Sequence, residues 1–171
     1  MVISGGATGI GFGMAREFEL HGAHVVLASR NEERLEVVRT RLAGLGVSCA
    51  VVLCDVRDED AVARLVDETT SESGGIEVLV NNAAGNCYSP AETMSSRSFR
   101  TMIEIYLLGT FLCTRAVVPH MMEQCAGVVL NIGMTDPHRG MPASPAWQPL
   151  NPLCLHSPRA GRWIGIVTPS G

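Results

Sequence analysis

The chain has 171 residues, 46% of them apolar, and a mean hydropathy of +0.20, enough for one domain with a sizeable core and not the composition of a disordered chain. Its net charge is −4 and all thirteen basic residues are arginines scattered singly, so no basic stripe marks a nucleic-acid partner. Six cysteines (49, 54, 87, 113, 125 and 154) form no CxxC pair, and neither a signal-like segment nor an apolar run long enough to span a bilayer is present, which predicts a soluble chain in a reducing compartment, away from membranes.

The first element is an apolar run, Met1-Val2-Ile3. It leads into Ser4-Gly5-Gly6-Ala7-Thr8-Gly9-Ile10-Gly11 and then into a segment with Met14, Ala15 and Phe18 at helical spacing. Gly5, Gly9 and Gly11 let a strand turn tightly into a helix while the backbone approaches a pyrophosphate, held by amide N–H groups and the positive end of a helix starting near Gly9. A strand-to-helix connection that merely favours glycine has the same look, so the following elements must decide. Gly22 stops the helix, and His24-Val25-Val26-Leu27-Ala28 is a buried-strand run. That strand ends at Ser29-Arg30, about 20 residues past the loop, where dinucleotide folds meet the adenosine ribose. A small hydroxyl beside a guanidinium suits a 2′-phosphate, so the cofactor expected is NADP(H) rather than NAD; a surface arginine at a helix entrance is the alternative. His21 and His24 straddle Gly22, and no metal site is expected.

Asn31 is a good N-cap, with Glu32 and Glu33 in the first turn of a helix that runs to about Leu42 and buries Leu35, Val38 and Leu42. Gly44 and Gly46 end it, and Val47 to Cys54 forms a third strand. Asp55 lies in the turn that follows. Asp58 caps the next helix, with Val62, Leu65 and Val66 inward, and Gly74-Gly75 releases a fourth strand, Ile76 to Val80. Asn81 to Gly85 form a loop at the carboxyl edge of the sheet, where open parallel sheets bind ligands. A surface connection over 86–96 precedes a long helix from about Phe99 to Met122, apolar on more than one face, and Ala126 to Ile132 is a fifth strand. The fold class is α/β: a Rossmann-type doubly wound parallel sheet over residues 1–140, truncated after about the fifth strand. Residues 141–171 hold six of the nine prolines and both tryptophans and no acid, so an irregular tail is expected in place of the next long helix.

The order and spacing of SGGATGIG, VVLASR, Cys54-Asp55-Val56 and Val80-Asn81-Asn82-Ala83-Ala84-Gly85 resemble the short-chain dehydrogenase/reductase family, whose glycine loop reads TGxxxGxG and whose fourth strand ends in NNAG. NNAAGN followed by Ser89-Pro90-Ala91-Glu92 is most similar to its peroxisomal trans-2-enoyl-CoA and 2,4-dienoyl-CoA reductases, over about residues 1 to 140. The resemblance implies NADPH-dependent reduction of an acyl-CoA thioester. It places Gly5, Thr8, Gly9, Ile10 and Gly11 on the phosphates, Ser29 and Arg30 on the 2′-phosphate, Asp55 and Val56 at the adenine, and Asn82, Ala83 and Ala84 beside the nicotinamide. It also implies a homo-oligomer through the 99–122 helix and a peroxisomal location; no C-terminal peroxisomal signal is present, which leaves the cytoplasm as the other expectation. The chain departs from the family at the catalytic positions. Tyr106 replaces an Asn of the proton relay, Met134 replaces the polarising Ser with Thr135 beside it, and no Tyr-x-x-x-Lys pair exists, because there is no Lys and the only tyrosines are Tyr88 and Tyr106. Tyr106 and Thr135 are the remaining catalytic candidates, and impaired catalysis is expected, with a non-catalytic dinucleotide-binding or dimerising fragment, or a carbonyl or alcohol reductase, as the alternatives.

Overall fold

The computed structural model describes residues 1–85, 89, 90, 92–133 and the backbone of 165–167. Five short strands, β1 (Val2–Ser4), β2 (Val26–Ser29), β3 (Ala50–Leu53), β4 (Val78–Asn81) and β5 (Val128–Ile132), pair in parallel in the order 3-2-1-4-5. Their runs are apolar at successive positions because helices cover both faces. Val2, Val26 and Leu79 enter one core, while Ile3, Leu27 and Val80 enter the other. Helices α1 (Gly9–Leu20) and α2 (Glu32–Ala43) pack on the second core through Ala15 and through Leu35, Val38 and Leu42. On the other face α3 (Glu59–Ser73) contributes Val62, Leu65 and Val66.

The helix boundaries follow local hydrogen bonding. Asn31 Oδ1 accepts the N–H of Arg34 (2.8 Å), and Asp58 Oδ1 accepts those of Asp60 (3.0 Å) and Ala61 (3.2 Å). Each such cap is worth about 1 kcal/mol. Gly74, at φ +74°, ends α3 in the left-handed conformation.

The long apolar segment is a continuous helix over Ser96–Glu123, three residues earlier at its start than the sequence pattern indicates because Ser95 caps it. It consists of α4 (Ser96–Ile103), a π-helical turn (Glu104–Leu108) and α5 (Gly109–Glu123). By length and composition this helix could cross a membrane, contrary to the sequence expectation of no such run; here it packs on the sheet through Ile105, Leu112, Val117 and Met121. Phe99, Leu108, Phe111 and Met122 stay exposed.

Of the three apolar residues at helical spacing in α1, Ala15 is buried and Phe18 is 36% exposed. One expectation needs correction. The third strand is shorter than Val47 to Cys54: Val47 and Cys49 are buried ahead of the ladder that starts at Ala50. The doubly wound sheet over β1–β5 is the one expected, and three residues of the tail, Gly165–Val167 (β6), pair in parallel with Leu130–Ile132 at its edge to give the order 3-2-1-4-5-6. The free backbone edge of β5 and two β-branched residues in that tripeptide account for the pairing. Apart from 165–167, the expected irregular tail lies outside the described residues.

Candidate functional site

The strand order reverses between β1 and β4, and the chain leaves both strands at the same edge of the sheet. Gly5, at φ +65°, lies so close to the loop after β4 that a Cβ there would stand 2.7 Å from Ala83 Cα. A Cβ on Gly11 would stand 2.7 Å from the Gly5 carbonyl oxygen and 2.8 Å from Asn82 Nδ2. Only glycine allows these two segments to touch. Ser4, 1% exposed, joins them: its Oγ accepts the N–H groups of Asn82 (3.0 Å) and Ala83 (3.1 Å) and donates to the Val80 carbonyl (3.3 Å). Asn82 Nδ2 reciprocates by donating to the carbonyls of Ser4 (3.1 Å) and Gly5 (3.0 Å). The Asn82 amide is thus committed to shaping the loop.

These segments form one wall of a cleft of about 460 Å³. Every residue predicted for the cofactor except Gly11 lines it: Gly5, Thr8, Gly9, Ile10, Ser29, Arg30, Asp55, Val56, Asn82, Ala83 and Ala84. Thr8 precedes α1 without a side-chain cap, which leaves the first-turn N–H groups to an anion. At the other end stand Arg30 and a second arginine, Arg34, one helical turn on. Arg34 was not predicted, although its spacing from Arg30 and from the N-cap Asn31 was a readable signal. Cys54 also lines the cleft, but burial pushes its thiol up to about 11, so it stays neutral. Asp55 is held below its ordinary carboxylate value, first by its hydrogen bonds with the Arg57 side chain and then by the Arg57 N–H and the nearby charges, against the opposing effect of burial. A glycine-lined cradle at a helix N-terminus, in a cleft that two arginines also line, fits the phosphates of a dinucleotide.

The catalytic candidates are placed differently. Tyr106 is half-buried within the π-helical turn, and its neighbour Ile105, rather than Tyr106, lines the cleft. Thr135 and Met134 lie outside the described residues. Beneath the ends of β4 and β5, Asn81 Nδ2 donates to Thr114 Oγ1 (3.1 Å) and Asn131 Oδ1 (2.9 Å), a buried network that ties both strands to α5. Asn81 Oδ1 has no hydrogen-bond partner among the described residues.

Residues 1–147 match the family model for short chain dehydrogenases. The chain belongs to that family. Among curated short-chain dehydrogenase relatives, a peroxisomal 2,4-dienoyl-CoA reductase [(3E)-enoyl-CoA-producing] of Rattus norvegicus is 39% identical over 81% of this chain and 48% of its own length. A probable 2,4-dienoyl-CoA reductase [(2E)-enoyl-CoA-producing] of Bacillus subtilis is 35% identical over 79% of this chain and 54% of its own. The chain thus spans about half the length of the curated relatives it matches. Among solved structures, a metagenomic short-chain oxidoreductase in complex with NADP superposes with a TM-score of 0.79 at 28% identity, over 88% of this chain and 68% of that one. An NAD+-bound xylitol dehydrogenase superposes at 0.81 with 27% identity, over 88% and 58%. The short-chain dehydrogenase fold therefore serves both nicotinamide cofactors among these neighbours, and the choice between them rests on local residues.

Proposed function

We propose that this chain is the NADP(H)-binding half of an oxidoreductase lineage that reduces enoyl-CoA or 2,4-dienoyl-CoA thioesters in fatty acid metabolism, and that the chain itself is catalytically impaired. One observation carries the cofactor reading: Arg30 and Arg34 line the cleft at the end of β2, with no acid at position 29 or 30 to prefer a free ribose hydroxyl. Gly5, Thr8, Gly9, Ile10 and Gly11 would hold the pyrophosphate through backbone N–H groups, Ser29 with the two arginines the 2′-phosphate, and Asp55 and Val56 the adenine. Asn82, Ala83 and Ala84 would border the nicotinamide, whose chemistry when bound is hydride donation. The names of the relatives support the acyl-CoA substrate and a peroxisomal location.

Proton delivery is the missing part. No Lys is present to lower a tyrosine pKa from about 10, arginine does not titrate in this range, and Met134 cannot donate a hydrogen bond. A non-catalytic dinucleotide-binding or dimerising role is the second reading, favoured by the exposed apolar side chains of the Ser96–Glu123 helix. The test is twofold. Arg30→Ala should weaken NADPH about tenfold or more while sparing NADH, the loss of one charge-assisted contact. No NADPH oxidation should be seen with trans-2-enoyl-CoA or 2,4-dienoyl-CoA. Equal loss for both cofactors would remove the NADP assignment, and turnover would remove the impairment and bring Tyr106 and Thr135 forward.

A further inference from the structure

Asp55 faces two hollows. It lines the main cleft together with Val56, and it also lines a shallow pocket behind, shared with Arg57, Asp58, Glu104 and Leu108. Arg57 lines only the rear pocket of the two. From there it grips the carboxylate: its Nε donates to Oδ1 (2.9 Å) and Oδ2 (3.2 Å), its Nη2 donates to Oδ2 (2.6 Å), and its own backbone N–H donates to Oδ1 (3.1 Å). These four contacts engage both oxygens and fix the orientation of a side chain that also lines the cleft.

The same guanidinium lies 3.8 Å, through Nη1, from Glu104 Oε2 at the start of the π-helical turn. That turn and the first residue of α5 meet residues of the cleft wall at two further points. Ile105 lines the cleft and packs so close to Gly85 that a Cβ there would meet Ile105 Cδ1 at 2.5 Å. Gly109 closes on Val56, whose Cγ2 would lie 2.6 Å from a Cβ at that position. An extra residue in a helical turn re-aims the side chains on either side of it. Here Glu104, Ile105 and Gly109 all meet the loops after β3 and β4.

We infer that Arg57 is a positioning residue for the adenosine end of the cleft: it fixes Asp55 from behind and, through Glu104, ties that carboxylate to the π-helical turn. The inference rests on the dinucleotide reading above. Arg57 acts through Asp55, so its contribution exists only while Asp55 is there to be held. A planar fork with two parallel donors does this; a lysine supplies charge without the fork and holds the carboxylate less well.

The experiment is a double-mutant cycle on the full chain, read by calorimetric titration with NADPH and with adenosine 2′,5′-bisphosphate, which carries only the adenosine half. Arg57→Gln should weaken both probes by the same factor, about two- to fivefold, as expected when a partly exposed charge-assisted pair is lost. Arg57→Lys should recover part of that loss, and Glu104→Gln should cost about twofold, in keeping with its longer, half-exposed contact. In an Asp55→Asn background, Arg57→Gln should change affinity less than twofold, because residues that act as one unit are not additive. Thermal melts within a few degrees of the parent confirm that the variants are folded, and Arg57→Lys carries the test if Arg57→Gln does not fold. Unchanged affinity in Arg57→Gln overturns the inference. So does a loss that persists in the Asp55→Asn background, which would put Arg57 directly on the ligand, or a loss confined to NADPH. If the parent chain binds neither probe, the dinucleotide reading itself falls, an outcome distinct from a parent that binds and a variant that binds equally well.

Discussion

The carboxyl edge of the sheet has two regions of unlike chemistry. Between β1 and β4 the site is made of main chain: glycines that permit close approach, helix N–H groups, and side chains such as Ser4 and Asn82 that bond the loops to each other. Around β5 and the Ser96–Glu123 helix, the work the family assigns would fall to individual side chains, and there the chain has Tyr106 and Met134 where the family has Asn and Ser. A backbone site tolerates most substitutions that keep the turn. A site built from titrating side chains is lost with one of them. On the proposed reading, this difference is what would let one chain keep a cofactor cleft while losing proton transfer.

The comparison is broken most sharply by adding one methyl group to the first region. In Gly5→Ala the new Cβ would meet backbone atoms, Ala83 Cα at 2.7 Å, Ala83 N at 3.0 Å and Asn82 O at 3.1 Å, at a φ of +65°. Neither loop can yield without breaking the Ser4 hydrogen bonds, so a loss of about 2–4 kcal/mol in stability is expected from strain and overlap together. Nucleotide binding should fall beyond detection. Gly9→Ala is the control: φ is +55° but the space is open, so only the left-handed strain of about 1–2 kcal/mol applies. Denaturant unfolding of the two variants should rank them in this order, and equal losses would show that contact between the loops is not what requires Gly5.

The sheet, its switch point and the residues that line the cleft were legible because each follows from a local rule. Apolar runs marked strands, Asn31 and Asp58 marked helix starts, and the spacing from the glycine loop to Arg30 pointed to the ribose end. What escaped the sequence depends on distant neighbours. Ser4 as the joint between two loops, Arg57 behind Asp55, and the π-helical turn that brings Ile105 to the cleft all require knowing which segments touch.

The second region keeps a property that does not depend on titrating groups. Phe99, Leu108, Phe111 and Met122 leave an apolar surface on the long helix, and such surface favours association. The chain is expected to associate with itself through this helix, and Phe111→Glu should weaken the association about tenfold or more, the effect of losing a buried aromatic contact. Leu112, Val117 and Met121, buried in the same core as Val62, Leu65 and Val66, should keep α5 docked on α3 in the variant. Sedimentation over a concentration series distinguishes the outcomes: a parent chain that stays monomeric at high concentration contradicts the expectation.

The smallest expected effect concerns acid stability and separates the Asp55–Arg57 pair from its surroundings. Hydrogen bonding from Arg57 holds the folded carboxyl below its ordinary value, whereas in the unfolded chain Asp titrates near 4. A depressed folded pKa means that the unfolded state takes up the proton first. The stabilisation is therefore fully present above about pH 5 and is lost as pH falls through 4 towards the folded value. Arg57, whose own pKa is raised, stays charged throughout. Both side chains keep about a third of their exposure (31% and 28%), so the pair belongs to the screened class worth about 0.2–1 kcal/mol, or roughly 1–3 °C in melting temperature for a chain of this size. Melting curves of the parent and of Asp55→Asn should run a constant distance apart from pH 7 to 5 and converge as the pH falls below about 4 towards the lowered folded value. A separation that stays constant as the pH falls below about 4 would mean that Asp55 does not titrate as the pair requires, and the Arg57 fork would then hold the loop by shape alone.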